Sequence, residues 1–516
     1  MEDATYNAVA DLVGRNLAAG RQAKTAIIDD RGRYTYADLA ERVSRFANAV
    51  CRLGLHCEQR ILLCLHDGVD FPTAFLGAIK SGIVPVAVNT QLSPGEFAFM
   101  LADSRARAVV VSSPVLPAMQ AAVAMLPEPK PEIIISGPEP SERSLEALLN
   151  AASAVAETAP THPDEPCFWL YSSGSTGRPK GTLHLHSSLV QTAECYAIPV
   201  LGITESDITF SSTKLFHAYG LGNGLTFPMA VGATIVLTAE RPTPAAVSRI
   251  LRDHRPTIFF SAPTLYNAML ASNDLPLPKE LALRRCVSAG EPLPAEIGRR
   301  WSARIGVDIL DGIGSTEMLH IFLSNRPNDL RYGTTGKPAP GYALQIVGEE
   351  GLPVSRGEIG DLLVSGPTSA AGYWNNRERS RATFLGGWTR TGDKYYEDED
   401  GYYVYCGRSD DMMKVNGMYV SPAEVEAALI AHDHVLEAAV VGAPDADGLV
   451  KPKAYVVAKT GIDADEALAR ALDAHTRTLL APFKCPRWIA FLDELPKTAT
   501  GKIQRFKLRG EDAGRQ

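Results

Sequence analysis

The chain reads as an α/β protein. A large N-terminal domain holds two α/β lobes and a small β-barrel-like subdomain, and a smaller α+β C-terminal domain follows. Three observations predict this. Strand-like apolar runs alternate with Ala-rich helical stretches over the first 340 or so residues, which argues layered α/β structure around a largely parallel sheet. Short strands separated by Gly and acidic turns then take over. A helix-start signal at Ser421-Pro422 opens a third texture, and 516 residues exceed what one hydrophobic core holds.

The first lobe, about 1–165, carries the strand-like runs RILLCLHD, IVPVAVN, ARAVVVSS and PEIIISG, with GVDFPTAFLGAIKSG as a helix between the first two. The small-residue, Pro-rich stretch 151–166 reads as a loop. The second lobe, about 166–340, includes AVSRILRDHRP as a helix, TIFFSAP as a strand and RRCVSAGEPLP as a strand plus turn. From about 341 to 407 the runs YALQIVGEEGLPV, GEIGDLLVSG and GGWTRTGDKYYEDEDGYYVYCG predict a small antiparallel unit or distorted barrel. We place a domain boundary at 408–411, separating 1–407 from 412–516. Ser421 is the expected N-cap, Pro422 the first helical position and Glu424 the return half of a capping box. Helix, two strands, helix and the final strand WIAFLD complete a unit of about 105 residues, a typical domain size.

Hydrophobic residues at 45%, charged residues at 21% and a net charge of -8 are ordinary for a soluble globular protein. That charge supplies no electrostatic reason to bind nucleic acid or an anionic membrane. The N-terminus lacks the apolar core of a signal peptide, and no run approaches the roughly 20 apolar residues that span a bilayer. The expectation is a cytoplasmic protein with neither nucleic acid nor membrane as partner. The eight cysteines are scattered, without C-x-x-C spacing or nearby histidines at zinc-ligand spacing, as reduced structural thiols would be. Oligomeric state is not legible in the chain; a homodimer is compatible with it.

Residues 171–181 read YSSGSTGRPKG, after the apolar run Cys167-Phe168-Trp169-Leu170. Glycines 174, 177 and 181 let the backbone approach an anion, Ser172, Ser173, Ser175 and Thr176 add hydroxyl donors, and Lys180 adds charge. The spacing is not that of a Walker loop, and Pro179 directly precedes the lysine. The competing reading is a Ser/Gly-rich surface turn.

Three further stretches carry candidate chemistry. In DGIGSTEM at 311–318, Gly312 and Gly314 thin the backbone, and Glu317 offers a carboxylate suited to Mg²⁺ on a triphosphate, or simply to a helix cap. WTRTGDKYY and GRSDD place Asp393 and Arg408 on either side of a hairpin-like segment, as a ribose diol would need and as a surface ion pair would also look. PKTATGKIQR at 496–505 presents Lys502, which is either a point charge for a phosphoryl transition state or a solvated tail lysine.

In this order and spacing the four stretches resemble the adenylate-forming superfamily of acyl- and aryl-CoA ligases, adenylation domains and luciferases, over essentially the whole chain. The resemblance implies that Lys180, Thr176 and the segment Ser172, Ser173, Gly174, Ser175 and Gly177 hold the phosphates of ATP. Adenine falls to Asp311 and to Ala289, Gly290, Glu291 and Pro292, with Gly312, Ile313, Gly314, Ser315 and Thr316 beside it. Mg²⁺ falls to Glu317 and ribose to Asp393 and Arg408. Lys502 is similar to the lysine that drives adenylation, and Asp410 matches the hinge of a mobile C-terminal domain. When that domain turns, Lys414 and Gly417 are expected to reach the site with CoA. Such an enzyme converts a carboxylate to acyl-AMP, releasing pyrophosphate, and a thiol then displaces AMP.

KLFHAYGLGNG at 214–224 and the continuation MLHIFLSN closely resemble benzoate-CoA ligases. His217 takes the gate position, where those ligases carry Phe. Ala218, Tyr219, Gly314, His320 and Ile321 are the expected pocket. Tyr219 with Ile313 and Ile321 makes a flat slot for one aromatic ring, and His320 either meets a ring substituent or packs on Tyr219. The expected acid is benzoate, a hydroxy- or aminobenzoate, or a heteroaromatic acid. The alternatives are a stand-alone aryl-acid adenylation enzyme loading a carrier protein and a non-catalytic nucleotide-binding protein. Joint retention of Lys180, Glu317, Asp393, Arg408 and Lys502 argues against the second.

Overall fold

The computed structural model describes residues 5–138, 141–172, 179–415, 418–445, 449–497 and 503–513. A seven-stranded sheet runs in the order Gly372–Tyr373, Lys180–Leu185, Pro166–Ser172, Val84–Ala87, Arg60–Cys64, Ala108–Ser112 and Glu132–Ser136. The pairings from Pro166–Ser172 through Val84–Ala87, Arg60–Cys64 and Ala108–Ser112 to Glu132–Ser136 are parallel. Parallel strands covered on both faces read as unbroken apolar runs, and alternate residues go to opposite sides. Ile61 and Leu63 pack with Phe46 and Phe75 on one face, while Leu62 and Cys64 pack with Phe97 and Met119 on the other.

The helices that cover this sheet begin where the chain supplies caps. Thr35 and Asp38 close a reciprocal capping box on Tyr36–Arg52, and Ser93 and Glu96 do the same for Pro94–Ser104. Tyr36, Leu39, Val43, Phe46 and Val50 form the buried stripe of the first of these helices.

The second sheet has nine strands. Its order is Lys337–Pro338, Ile321–Ser324, Ile309–Gly314, Arg285–Ser288, Ile258–Ser261, Ile208–Ser211, Thr234–Val236, Thr25–Asp29 and Gly32–Thr35. The two sheets therefore do not divide the chain near residue 165, as the order of runs suggested. The N-terminal strands 25–29 and 32–35 lie in the second sheet, and the strands at 166–185 lie in the first. Pairing such as Ile27 opposite Ile235 is decided by burial between distant segments, which local texture does not report.

A five-stranded antiparallel sheet follows, built from Ala343–Val347, Gly360–Ser365, Trp388–Glu397, Phe384–Leu385 and Tyr403–Arg408. Beyond it the hairpin Met413–Val415 with Met418–Val420 leads to helix Pro422–Ile430. Strands Val435–Pro444, Val450–Ala458 and Trp488–Phe491 form the C-terminal sheet, with helix Glu466–Leu479 in between. Ser421 caps its helix by accepting the Glu424 amide. The expected return half of the box is not made: the Glu424 carboxylate pairs with Lys484 at 2.7 Å. Among the described residues no helix is long and apolar enough to cross a membrane.

Candidate active site

Several of the expected site side chains, Ser172 and Asp311 among them, lie toward the carboxyl ends of parallel strands, where open α/β sheets hold ligands. Strand Pro166–Ser172 runs into the phosphate loop and Lys180 starts the return strand, with Ser172 and Lys180 directly opposed. Ser173, Gly174, Ser175, Thr176 and Gly177 lie outside the described residues.

In the second sheet, parallel pairing sets Ser288 beside Asp311. The chain then folds back so that Gly314 opposes Ile321 across a register shift. A Cβ at Gly314 would strike the carbonyl of His320 and the backbone of Ile321, so this crossing requires glycine. The Ser315 hydroxyl accepts the Met318 amide at 3.1 Å, and His184 Nε2 donates to the Thr316 carbonyl at 2.8 Å. These contacts aim Glu317 toward Lys180.

The Lys180 ammonium lies 3.7 Å from Glu317 Oε1. The same oxygen accepts the Tyr373 hydroxyl at 2.7 Å and the Ser172 hydroxyl at 3.4 Å. Burial pulls the Lys180 ammonium below its ordinary pKa; Glu317 offsets this, while Arg379 and Arg408 add to it. Arg408 in turn is raised, chiefly by Asp393, with Glu317 contributing. Asp393 and Arg408 are opposed in the ladder of strands Trp388–Glu397 and Tyr403–Arg408. Their side chains meet at 3.0 Å, with Asp393 buried and half of Arg408 exposed. Gly392 has φ +76°, and the guanidinium lies over it where a side chain would stand. The expected ribose pair is therefore a real pair with one open face.

Asp311 is buried, and burial pushes its carboxyl up to about 8 against the pull of Ser288, Leu293 and Gly312. Its Oδ1 has no hydrogen-bond partner among the described residues. In the adjoining segment of Ala289, Gly290, Glu291 and Pro292, the Glu291 carboxylate accepts the Thr264 hydroxyl at 2.6 Å.

At the expected acyl pocket, helix Ala218–Leu221 follows His217, whose ring sits 4.5 Å from that of Phe216. The Tyr219 hydroxyl donates inward to the Val287 carbonyl at 3.2 Å, so its ring stands as a wall. Tyr219 and Ile313 border the core cluster that holds Ile321. His320 is buried. Its Nε2 lies 3.1 Å from Asn223 Oδ1 and 3.3 Å from the Tyr219 carbonyl, two acceptors that assign the proton to Nε2. The His320 ring packs edge-on against Phe227 at 4.3 Å and beside Tyr219 at 5.4 Å. The expected packing of His320 on Tyr219 is seen, and its Nδ1 has no hydrogen-bond partner among the described residues.

Asp410 stands at the boundary, its carbonyl accepting from Arg509 at 3.4 Å. Arg509 also pairs with Asp411 at 2.7 Å. Lys414 lies on strand Met413–Val415; Gly417 and Lys502 lie outside the described residues. Tyr373, His184 and Asn223 were not singled out from the sequence. Alternation along GTLHLH would turn Leu183 and Leu185 inward, whereas Thr182 and His184 are the buried pair, and nothing local distinguishes Tyr373 or Asn223.

The buried titrating groups set a pH dependence. Burial lowers His184 and His186 to about 4 and His320 to about 3. Each stays neutral in the fold while its unfolded counterpart takes a proton below about pH 6.5, so each favours folding more as pH rises to that point. Asp67 and Asp311 act in the opposite sense, being raised to about 6 and about 8. They remain protonated in the fold after the unfolded chain has ionised, so stability falls as pH rises toward those values. Among these five groups the three histidines outweigh the two aspartates below pH 6.5, His66 and His432 are lowered in the same sense, and of the five only Asp311 acts above it. The melting temperature is expected to peak near pH 6.5. Asp311→Asn should remove the decline toward pH 8, worth at most about 1.4 kcal/mol per pH unit; a decline that persists in the variant would refute the assignment.

The AMP-binding enzyme profile matches residues 15–374, and the AMP-binding enzyme C-terminal domain profile matches residues 424–502. A benzoate–CoA ligase of Thauera aromatica is 60% identical over 506 residues, covering 98% of this chain and 96% of the relative. A 4-hydroxybenzoate–CoA/benzoate–CoA ligase of Rhodopseudomonas palustris is 50% identical over 508 residues, covering 98% and 94%. The crystal structure of a benzoate CoA ligase from Burkholderia xenovorans LB400 superposes with a TM-score of 0.92 at 53% identity, covering 98% of this chain and all of that one.

Proposed function

This chain belongs to the AMP-binding enzyme family, and from that premise we infer that it is an ATP-dependent aryl-carboxylate–CoA ligase. It forms an aryl adenylate with release of pyrophosphate, and then an aryl-CoA thioester with release of AMP. The observation that carries this reading is the convergence of Lys180 and Glu317 at 3.7 Å, with Arg408, paired to Asp393 at 3.0 Å, close enough to lower the Lys180 ammonium. Two full-length relatives named as CoA ligases do not favour the carrier-loading alternative.

The acid is benzoate or a hydroxy- or aminobenzoate. Tyr219, Ile313 and Ile321 offer the flat apolar slot, and the Nδ1 of His320, without a partner among the described residues, is an acceptor suited to a hydroxyl or amino group. Asp311 and the Ala289 to Pro292 segment border adenine, and the Arg408 guanidinium with Asp393 takes the ribose diol. Lys180, and Lys502 on the mobile domain, neutralise charge at the α-phosphate while the carboxylate displaces pyrophosphate. Turning about Asp410 then replaces Lys502 by Lys414 and Gly417 beside CoA.

Glu317 suits Mg²⁺: it is a hard carboxylate with one oxygen held by hydroxyl donors, and Mg²⁺ binds through one or two carboxylates plus phosphate oxygens. When bound, the ion neutralises phosphate charge. Eight free cysteines fit a cytoplasmic setting.

A panel of benzoates with ATP and CoA tests the reading. AMP release that depends on both acid and CoA is the expected result. Hydroxylamine-trapped adenylate without use of CoA would instead identify a carrier loader, and neither product a binding protein.

A further inference from the structure

Strand Gly372–Tyr373 joins the edge of the first sheet antiparallel to Lys180–Leu185, with Tyr373 opposite Thr182. Opposed residues share a face, and so do residues two apart along a strand; Tyr373 therefore projects on the face of Lys180, at the diagonal distance that long side chains bridge. The contacts follow from this register. The Lys180 ammonium lies 4.4 Å from the centre of the Tyr373 ring and donates to its hydroxyl at 3.3 Å. That hydroxyl donates onward to Glu317 Oε1 at 2.7 Å.

The tyrosine is itself held firmly. Its amide donates to the Ser380 hydroxyl at 2.9 Å, and its ring meets Phe384 at 5.3 Å. The next residue, Trp374, packs at a tilt against Trp169 at 4.7 Å and donates its indole N–H to the Asp103 carbonyl at 2.9 Å. A rigid edge strand thus delivers one hydroxyl between the cation and the carboxylate of the phosphate grip.

We propose that Tyr373 is a positioning residue for this grip, its hydroxyl occupying Oε1 of Glu317 so that the other carboxylate oxygen is presented to a divalent cation on the triphosphate. Its ring meanwhile carries the Lys180 ammonium, a cation–π contact that survives loss of the hydroxyl. The proposal rests on the adenylate-forming reading above. Tyr373→Phe keeps the ring and removes one hydrogen bond to a charged group, an interaction typically worth about 1.5–3 kcal/mol.

The test uses the full-length enzyme with Mn²⁺ as the probe, its binding followed by electron paramagnetic resonance in the presence of a non-hydrolysable ATP analogue. Tyr373→Phe is expected to weaken Mn²⁺ binding about 10-fold, the lower end of that range. The Mg²⁺ concentration for half-maximal adenylation should rise in parallel. Thioester formation from supplied benzoyl-AMP and CoA should stay at the wild-type rate, and Tyr373→Ala should lose affinity for the nucleotide as well. Unchanged Mn²⁺ binding in Tyr373→Phe overturns the proposal, as does equal slowing of both half-reactions, which marks a purely structural role. Wild-type enzyme that takes up no Mn²⁺ with the analogue overturns the parent reading, and the proposal with it.

Discussion

Lys502→Ala is expected to slow formation of the aryl adenylate about 10²–10³-fold while leaving conversion of supplied aryl-AMP and CoA into thioester intact. On the reading proposed above, the lysine serves only the first half-reaction, because it would leave the site when the C-terminal domain turns. Removing one preorganised donor to a transition-state charge costs about 10²–10³ in rate, and that loss should fall on pyrophosphate release alone. Lys180 gives the contrast. It starts a strand of the fixed sheet, opposite Ser172 and against Glu317, and does not move with the hinge. Pyrophosphate exchange and aryl-AMP consumption, measured separately, check the claim; equal loss of both would sink the hinge assignment. Lys414→Ala should show the converse pattern, slowing the thioester step.

Gly314→Ala is expected to damage both half-reactions together. Its added methyl meets backbone, the His320 carbonyl and the Ile321 amide, rather than the end of a flexible side chain. The turn has no slack to absorb it: Leu319 already stands at φ +65°, and the Thr368 hydroxyl holds the Met318 carbonyl at 2.7 Å. The strands must part, which displaces Glu317 on one side and the ring slot on the other. Overpacking of this kind costs about 1–3 kcal/mol of stability, and a displacement of about 1 Å at the reacting groups costs about 10²-fold in rate. Adenylation and thioester rates should fall in similar proportion, with a lowered melting temperature. A variant impaired only in adenylation would show that the methyl is accommodated and merely disturbs the nucleotide.

The order of motifs was enough to identify the chemistry, because each is short, local and rich in residues whose function lies in their own side chains. Asp393 and Arg408 could be paired from the sequence since only a short hairpin separates them. Other parts were out of reach. Ser288 and Asp311 become neighbours through parallel pairing, and the Glu424 carboxylate left its expected capping box for Lys484. The surroundings of His320 were out of reach as well, since Asn223 and Phe227 come to it from another part of the chain.

The sequence by itself determined the family of reaction, the identity of its charged groups and the alternation of elements that makes an α/β protein, since these depend on residue type and short spacing. Only the tertiary structure decided which strands share a sheet, which way His320 directs its proton and that Tyr373 stands between Lys180 and Glu317. The physical reason is that strand partners are chosen by burial over hundreds of residues. Tyr373 meets Lys180 across 193 positions in the chain, a meeting fixed by the register of an edge strand, and no local pattern of hydrophobicity or charge encodes that register.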